Sequence, residues 1–244
     1  MHGSKFGGDF LQFILDMHCH TLASSHAQST LEENLVRAKE IGLKLVGISE
    51  HGPAMPDGCP LYHFKNMLKL PHTINGMPWL KGVEANIINK RGGLDIPANL
   101  LNALDYVIAS IHTGVFNPGN AEANTNAIIG AMENPHVNII GHLGDHNVPI
   151  NVEPIVAAAK TTKTLIEINN SSLIPGTRRY DGGITIKEIL AHCKKHNVAV
   201  IVGSDAHKAR DVGRFKHAKA LIKKSGIDST LIVNTDIHHF INLL

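Results

Sequence analysis

The stretch Phe10-Leu11-Gln12-Phe13-Ile14-Leu15-Asp16-Met17-His18-Cys19-His20 decides the reading of this chain. Its residues up to Met17 are mostly apolar and suit a buried strand, and two histidines follow two positions apart. Side chains along a strand alternate between its faces, so His18 and His20 point one way and Cys19 the other. Two imidazoles on one side of a strand end can chelate a single metal ion. An isolated pair of this kind is as readily two surface histidines. The later strands remove the ambiguity, because almost every one of them also ends in a candidate ligand.

Working outward, the second strand (residues 44–50) ends in His51, and the third (79–88) carries Glu84 inside it. The fourth (105–111) ends in His112 and the fifth (137–141) in His142. A sixth (164–168) runs into Asn169-Asn170-Ser171-Ser172, and the seventh (198–202) into Gly203-Ser204-Asp205-Ala206-His207. Helical patterns separate them. The first opens with a capping box, Thr30 and Glu33, keeps Leu31, Leu35, Ala38 and Ile41 on one face, and stops at Gly42. Others cover 98–103, 121–133, 152–160, 183–196 and 213–224, with a last one from about 236. Residues 52–76 read as a long irregular segment with one short helix around 63–67.

Strands alternating with helices imply the α/β class, with a parallel sheet and right-handed crossovers. Seven such units without an obvious edge strand predict a closed or nearly closed barrel, whose C-terminal strand ends form one rim. An open doubly wound sheet is the alternative fold, and it would hold some of the candidate ligands too far apart to share a site.

Composition bounds the rest. A chain of 244 residues, 43% of them apolar, reads as one domain over 1–244, with 1–9 a loosely ordered extension. A net charge of +2 offers no case for a nucleic-acid partner. Three cysteines without paired spacing suit a reducing compartment. The apolar N-terminal stretch is broken by Gln12 and Asp16 and lacks a small-residue cleavage site, so it reads as a strand, neither leader nor membrane span. A cytoplasmic location is the expectation.

Histidine is the outlier, with 17 residues. Counting His26 in the first loop, nine residues are candidate ligands: His18, His20, His26, His51, Glu84, His112, His142, Asp205 and His207. His192, His196, His217, His238 and His239 fall in helices or loops and read as ordinary surface residues, while His63, His72 and His146 lie in loops that can overhang the rim. Cys19 reads as core filler, and Cys59 and Cys193 have no metal-like spacing. Nine ligands exceed the roughly four that one tetrahedral zinc takes. Mixed imidazole and carboxylate ligation suits zinc, iron or manganese. Glu84 stands among Val83, Ala85, Ile87 and Ile88, where an ionised carboxylate is costly unless paired or metal-bound. A carboxylate can bridge two ions, and two metals about 3.5–4 Å apart can hold a hydroxide and clamp a displacement at phosphorus.

These residues resemble the PHP (polymerase and histidinol phosphatase) superfamily. The matching motifs are Asp16-Met17-His18-Cys19-His20-Thr21, Ser49-Glu50-His51-Gly52, Gly82-Val83-Glu84-Ala85-Asn86, His112, His142 and Gly203-Ser204-Asp205-Ala206-His207. Ala23-Ser24-Ser25-His26-Ala27, Ala123-Asn124-Thr125-Asn126 and Glu167-Ile168-Asn169-Asn170-Ser171-Ser172 narrow the likeness to small stand-alone phosphatases of the YcdX type. The resemblance implies a distorted (β/α)7 barrel with three divalent metal ions at the C-terminal rim, zinc first, with manganese or iron as alternatives. His18, His20, Glu84 and Asp205 would hold one ion, Glu84, His112 and His142 a second, and His26, His51 and His207 the third. Glu84, Asp205 and His207 would carry catalysis. Glu50 replaces the family's Asp before His51, and Leu143 replaces the Pro after His142. Leu68 and His72 stand where relatives carry arginines, which leaves Lys65 and Lys69 for phosphate contacts.

The expected activity is hydrolysis of a small phosphomonoester through a metal-bridging hydroxide. A phosphodiesterase or nuclease on the same site is the alternative enzyme, and a non-catalytic metal-binding regulator is the alternative of another class. The expected partner is a small phosphorylated substrate, with no nucleic acid and no membrane; a homo-oligomer is compatible with the chain.

Overall fold

The computed structural model describes residues 11–181 and 183–244, so the expected extension over 1–9 lies outside the described residues. In chain order its elements are β1 (Leu15–Asp16), α1 (Leu31–Glu40), β2 (Leu45–His51), α2 (Leu61–Met67), β3 (Thr73–Ile74), β4 (Met77–Asn86), α3 (Ala98–Leu101) and β5 (Tyr106–Ser110). There follow α4 (Ala121–Met132), β6 (Ile139–Ile140), α5 (Val152–Thr162), β7 (Leu165–Asn169), α6 (Ile184–His196), β8 (Val200–Gly203), α7 (Lys216–Ser225) and α8 (Ile237–Ile241). The sheet runs β1-β2-β4-β5-β6-β7-β8 with every neighbouring pair parallel, and β3 joins β4 antiparallel. Seven parallel strands with helices between them make the expected distorted (β/α)7 barrel. No described helix is long and apolar enough to cross a membrane.

Strand alternation sorts the side chains into two layers. Val46 and Ile48 of β2, Val83 and Ala85 of β4, and Val107 and Ala109 of β5 face outward and pack under the helices with Leu35, Ile128, Ile155 and Leu190. The inward series climbs from apolar to polar toward the C-terminal strand ends: Tyr106, Ile108, Ser110 on β5, and Leu165, Glu167, Asn169 on β7. The lower interior is a separate apolar cluster of Leu15, Met17, Leu45, Tyr106, Ile139 and Ile201, stoppered by Val233 and by Phe240 of α8. Tyr106 crosses this interior and donates its hydroxyl to the Met17 carbonyl at 2.8 Å. A Cβ on Gly82 would stand 2.3 Å from the Tyr106 ring, so only glycine fits there.

The distortion sits at the seam between β8 and β1. Among the described residues only an isolated bridge, Cys19 to Ala206, pairs these two sides near the rim. There the His20 amide donates to the Ala206 carbonyl (2.9 Å) and the Ala206 amide to the His18 carbonyl (3.2 Å). Below it, the buried Asn234 side chain takes the place of strand pairing. Its Oδ1 accepts from the Val202 amide at 2.7 Å, and its Nδ2 donates to the carbonyls of Val202 (2.8 Å) and Leu15 (3.1 Å). Asp16, also buried, accepts from the amides of Ser204 (3.1 Å) and Gly213 (2.9 Å).

Three departures from the sequence expectations have physical causes. Over the described residues, which leave out Phe10, the first strand is two residues long instead of a run up to Met17, because the alternation slips: Leu15 and Met17 both face the interior, and so do His18 and His20. Phe13 is apolar because it packs edge-on against Phe215 (centroids 5.5 Å apart), not because it is paired in the sheet. The irregular segment 52–76 ends in a hairpin strand, β3, turned by Asn75 (φ 52°) and Gly76 (φ 74°), a two-residue turn of the kind Asn-Gly favours. The capping box at α1 forms as expected, with the Thr30 amide donating to Glu33 at 2.7 Å.

Asn234 generates a stability prediction. Asn234→Ala would leave three buried main-chain groups at the seam without partners and should lower the unfolding free energy by about 3 kcal/mol, each orphan costing roughly 1–3 kcal/mol. Urea denaturation checks this, and an unchanged midpoint would show that the seam is held elsewhere.

Candidate metal centre

The inward series ends, strand by strand, in the nine predicted residues. His18 and His20 follow β1, His26 lies in the loop before α1, and His51 is the last residue of β2. Glu84 is on β4, His112 and His142 follow β5 and β6, and Asp205 and His207 follow β8. All nine meet at one rim. His142 (φ 28°) and Asp205 (φ 56°) hold left-handed backbone conformations that non-glycine residues seldom adopt, a strain typical of functional positions.

Four donor atoms form the innermost group. His18 Nε2 lies 3.4 Å from Glu84 Oε2 and 3.6 Å from Asp205 Oδ1; His20 Nε2 lies 3.6 and 3.4 Å from the same oxygens. Ligands about 2.1 Å from a tetrahedral zinc stand about 3.4 Å from one another. The other Glu84 oxygen, Oε1, faces a different pair: His142 Nε2 at 2.8 Å and His112 Nε2 at 3.4 Å, with those nitrogens 3.2 Å apart. The two oxygens of one carboxylate thus serve two separate donor groups. A third cluster is looser: the His26 ring stacks on His207 (centroids 4.5 Å) and on His51 (5.0 Å). His51 stands between groups: its Nδ1 approaches Glu84 Oε2 at 2.8 Å, while its ring lies 5.0 Å from His26 and 5.8 Å from His207.

The imidazoles are also held in one tautomer. The Nδ1 atoms of His18, His26, His112 and His207 each meet an oxygen: Glu167 Oε1 (2.7 Å), Asp57 Oδ2 (2.5 Å), Asn86 Oδ1 (2.7 Å) and the Asp205 carbonyl (3.0 Å). These oxygens only accept, so the ring proton sits on Nδ1 and the Nε2 lone pair is left for a cation. Meanwhile both Glu84 oxygens, both His20 nitrogens, and Nε2 of His18 and His207 are buried without any hydrogen-bond partner. Buried orphans of this kind are costly unless something else engages them, and a divalent metal is the group that this donor set fits.

Burial and the attraction between close groups set the charges at the rim. Burial opposes ionisation of Glu84, but the imidazoles of His18, His112 and His51 outweigh it and hold its carboxyl well below the usual carboxylate range. Burial likewise opposes ionisation of Asp205, and Arg179 and His18 overcome it. Burial, with His51 and His207 adding to it, lowers His20 well below an ordinary histidine, and burial takes His112 down to about 4. His18 and His51 differ: burial opposes their charge, but Glu167 and Glu84 raise His18, and Glu84 raises His51, above an ordinary histidine, so an ion binding there displaces protons.

Sequence comparison now has a site to attach to. The PHP domain family matches residues 16–171, and a PHP-associated family matches residues 187–216. The chain belongs to the PHP family. It is 42% identical over 234 residues to a protein named "Probable phosphatase" from Clostridium botulinum strain Hall, covering 96% of this chain and 95% of that one. It is 45% identical over 229 residues to another of that name from Caldanaerobacter subterraneus subsp. tengcongensis, covering 93% and 89%. Among solved structures it resembles histidinol phosphate phosphatase from Lactococcus lactis, determined with zinc, L-histidinol and phosphate. The TM-score is 0.62 at 21% identity, over 88% of this chain and 95% of that one. At that identity the likeness concerns the fold alone.

Within this PHP barrel several residues named in the motifs act through contacts that the sequence does not show. Glu167 holds the His18 ring with one oxygen and accepts from the His142 amide with the other at 2.6 Å. Its signal was present, a carboxylate inside an apolar strand, as with Glu84. A Cβ on Gly203 would lie 1.9 Å from Glu167 Oε1, so that strand end must be glycine. Glu50 accepts from the Thr21 amide and hydroxyl (3.1 and 2.5 Å) and from the Ser24 hydroxyl (2.6 Å), while Ser24 Oγ accepts from the His51 amide (3.0 Å). It therefore braces the loop that carries His26.

The rim opens into a cavity of about 640 Å³, walled by Met55, Pro56, Asp57, Thr177, Arg178 and Arg179 around the histidines. The loop after β2 overhangs the site as expected, but Lys65 and Lys69 do not reach it. Both are exposed on or just past α2, with Lys69 bonded to Asn66 Oδ1 at 3.0 Å. The basic groups at the cavity are Arg178 and Arg179, and Arg179 pairs with Asp205 Oδ2 and donates to Ser172 Oγ (3.1 Å). The other uncertain histidines are off the site: His72 lies 3.5 Å from Asp105 at the far end of β5, His146 is exposed, and His63 packs edge-on to Phe64. Cys19 is core filler, 3.8 Å from Ser204 Oγ.

Glu167 generates a second prediction. Glu167→Gln keeps the shape but weakens the hold on the His18 ring, so metal affinity measured by chelator competition should fall about 10- to 100-fold. Affinity equal to wild type would mean that Glu167 has no orienting role.

Proposed function

We propose that this PHP barrel is a metal-dependent phosphatase acting on a small phosphomonoester. Relatives named as phosphatases, similar over nearly their whole length, support hydrolysis of phosphoric esters. The observation that carries the metal dependence is Glu84: its two oxygens face two donor groups at the floor of an open cavity, and no hydrogen bond satisfies either oxygen. His18, His20, Glu84 and Asp205 would hold one ion, Glu84, His112 and His142 a second, and His26, His51 and His207 a third. Bound divalent ions supply Lewis acidity and water of lowered pKa at neutral pH.

The chain's own residues do the rest. Glu84, Asp205 and His207 keep the charge and geometry of the reacting centre, with Glu167, Asn86 and Asp57 fixing the rings behind it. Arg178 and Arg179 offer planar donor forks matched to phosphoryl oxygens. A cavity of about 640 Å³ suits a small molecule. The near-neutral balance of the chain, +2 overall, favours a monoester over a nucleic-acid strand.

The test is hydrolysis of an aryl phosphate with and without chelator, alongside metal content. Protein reconstituted with zinc or manganese should approach three ions per chain and lose activity on chelation. A firm content of one or none would sink the trinuclear reading. Glu84→Gln should cost at least about a hundredfold in activity and reduce metal content, since the charge that both ions share is removed. Full activity at full occupancy would mean that Glu84 bridges nothing.

The arginines give a separate expectation. Arg178→Ala and Arg179→Ala should raise KM for phosphate esters, by about tenfold for a charge-assisted contact, while Lys65→Ala and Lys69→Ala leave it unchanged. The reverse pattern would return the phosphate contact to α2.

A further inference from the structure

On the outer helical layer, Glu153 in the first turn of α5 faces His192 and His196 on α6. The two histidines are one helical turn apart and share a face. Their rings are parallel, 4° between planes, with centroids 6.2 Å apart. Glu153 Oε1 lies 3.9 Å from His192 Nδ1 and 3.7 Å from His196 Nε2. One donor atom from each of the three residues lies within 4.8 Å of the other two. Tetrahedral zinc ligands stand about 3.4 Å apart, so small side-chain adjustments bring these to ligating distance. None of the three residues lines the rim cavity.

A second observation points to a ligand. His192 Nδ1 and His196 Nε2 are shielded from solvent and have no hydrogen-bond partner, although both side chains lie at the surface. Histidines that merely cover a helix turn their nitrogens to water. Each of these two turns one ring nitrogen toward a carboxylate, at a distance too long for a hydrogen bond.

We propose that Glu153, His192 and His196 form a second, peripheral site for a divalent transition metal ion, which ties α5 to α6. Two imidazoles and a carboxylate suit zinc or its first-row neighbours. Three protein ligands leave one position for water, and Glu153, with its side chain 57% exposed, is accessible to the ion. Both histidines lie near the carbonyl end of α6, where the helix dipole favours a cation. Lys195 is the competitor: its Nζ donates to Glu153 Oε1 at 3.1 Å and must give way when the ion binds. The site is therefore weaker than the rim, and loss of Lys195 strengthens it.

Zinc is titrated by equilibrium dialysis into enzyme already carrying its rim ions, in wild type and in the His192→Gln/His196→Gln double variant. Wild type should bind one zinc more per chain at saturation, with phosphatase activity equal in the two proteins. Zinc should also raise the unfolding temperature of wild type by more than that of the variant, because an ion bound only to the folded state stabilises it. The count is a difference between proteins with identical rims, so it stands whatever number of ions the rim holds. In Lys195→Gln the zinc concentration for half-occupancy should fall by about threefold, the scale of a lost surface ion pair. Equal zinc counts in wild type and the double variant overturn the site. An unshifted half-occupancy in Lys195→Gln overturns Glu153 as its third ligand.

Discussion

Everything at the rim depends on a carboxylate in the wrong place. Glu84 is fully buried on β4, where ionisation is penalised, and nothing donates a hydrogen bond to either of its oxygens. Among the described residues no lysine or arginine forms an ion pair with it. Its partners are five imidazoles delivered from four other strands, each at the end of or just beyond its strand. A charge buried this way is tolerable only if the surrounding nitrogens can share a cation with it. The barrel supplies the arrangement, because a parallel closed sheet is what brings all C-terminal strand ends to one side.

That geometry is only as good as the closure of the barrel. The seam between β8 and β1 lies directly under His18, His20 and Asp205, and it is also where regular pairing fails. Asn234 and Asp16 fill the failure with side-chain hydrogen bonds, and the Cys19–Ala206 bridge ties the two ligand-bearing segments together above them. The slip in alternation after Met17 has the same location. It turns His18 inward immediately after an inward methionine, so apolar filling gives way to ligands within one residue. The fold is most irregular where the site needs it to be.

Much of this was legible because the signals were contradictions of local expectation. Histidines at most strand ends, and a glutamate inside an apolar strand, conflict with a simple buried sheet, and the structure brings the nine residues so marked to one rim. What stayed hidden depended on contacts that no spacing encodes. Asp57 reaches His26 from a loop, and Asn86 reaches His112 from the neighbouring strand. Arg179 reaches Asp205 from the segment between β7 and α6, and the composition of that segment did not distinguish it from the lysines of α2. Glu167 is a different case, since it broke the pattern of its strand as plainly as Glu84 did. It went unassigned because a carboxylate that orients a ligand and one that binds a metal look alike until the partner atom is known.

The same distinction explains the histidines read as ordinary surface. His18 and His20 are two apart on a strand, and His192 and His196 are four apart on a helix. Each spacing puts two imidazoles on one face of its own element, since the periods are 2.0 and 3.6. Only the strand pair had a convergence argument behind it, because parallel strand ends must meet and helix faces need not. The helix pair acquires its third donor from α5, the neighbour in the helical layer, and that neighbour is fixed by the order of strands in the sheet. Topology thus decides both sites: directly at the rim, and at the surface through the helices that the strands carry.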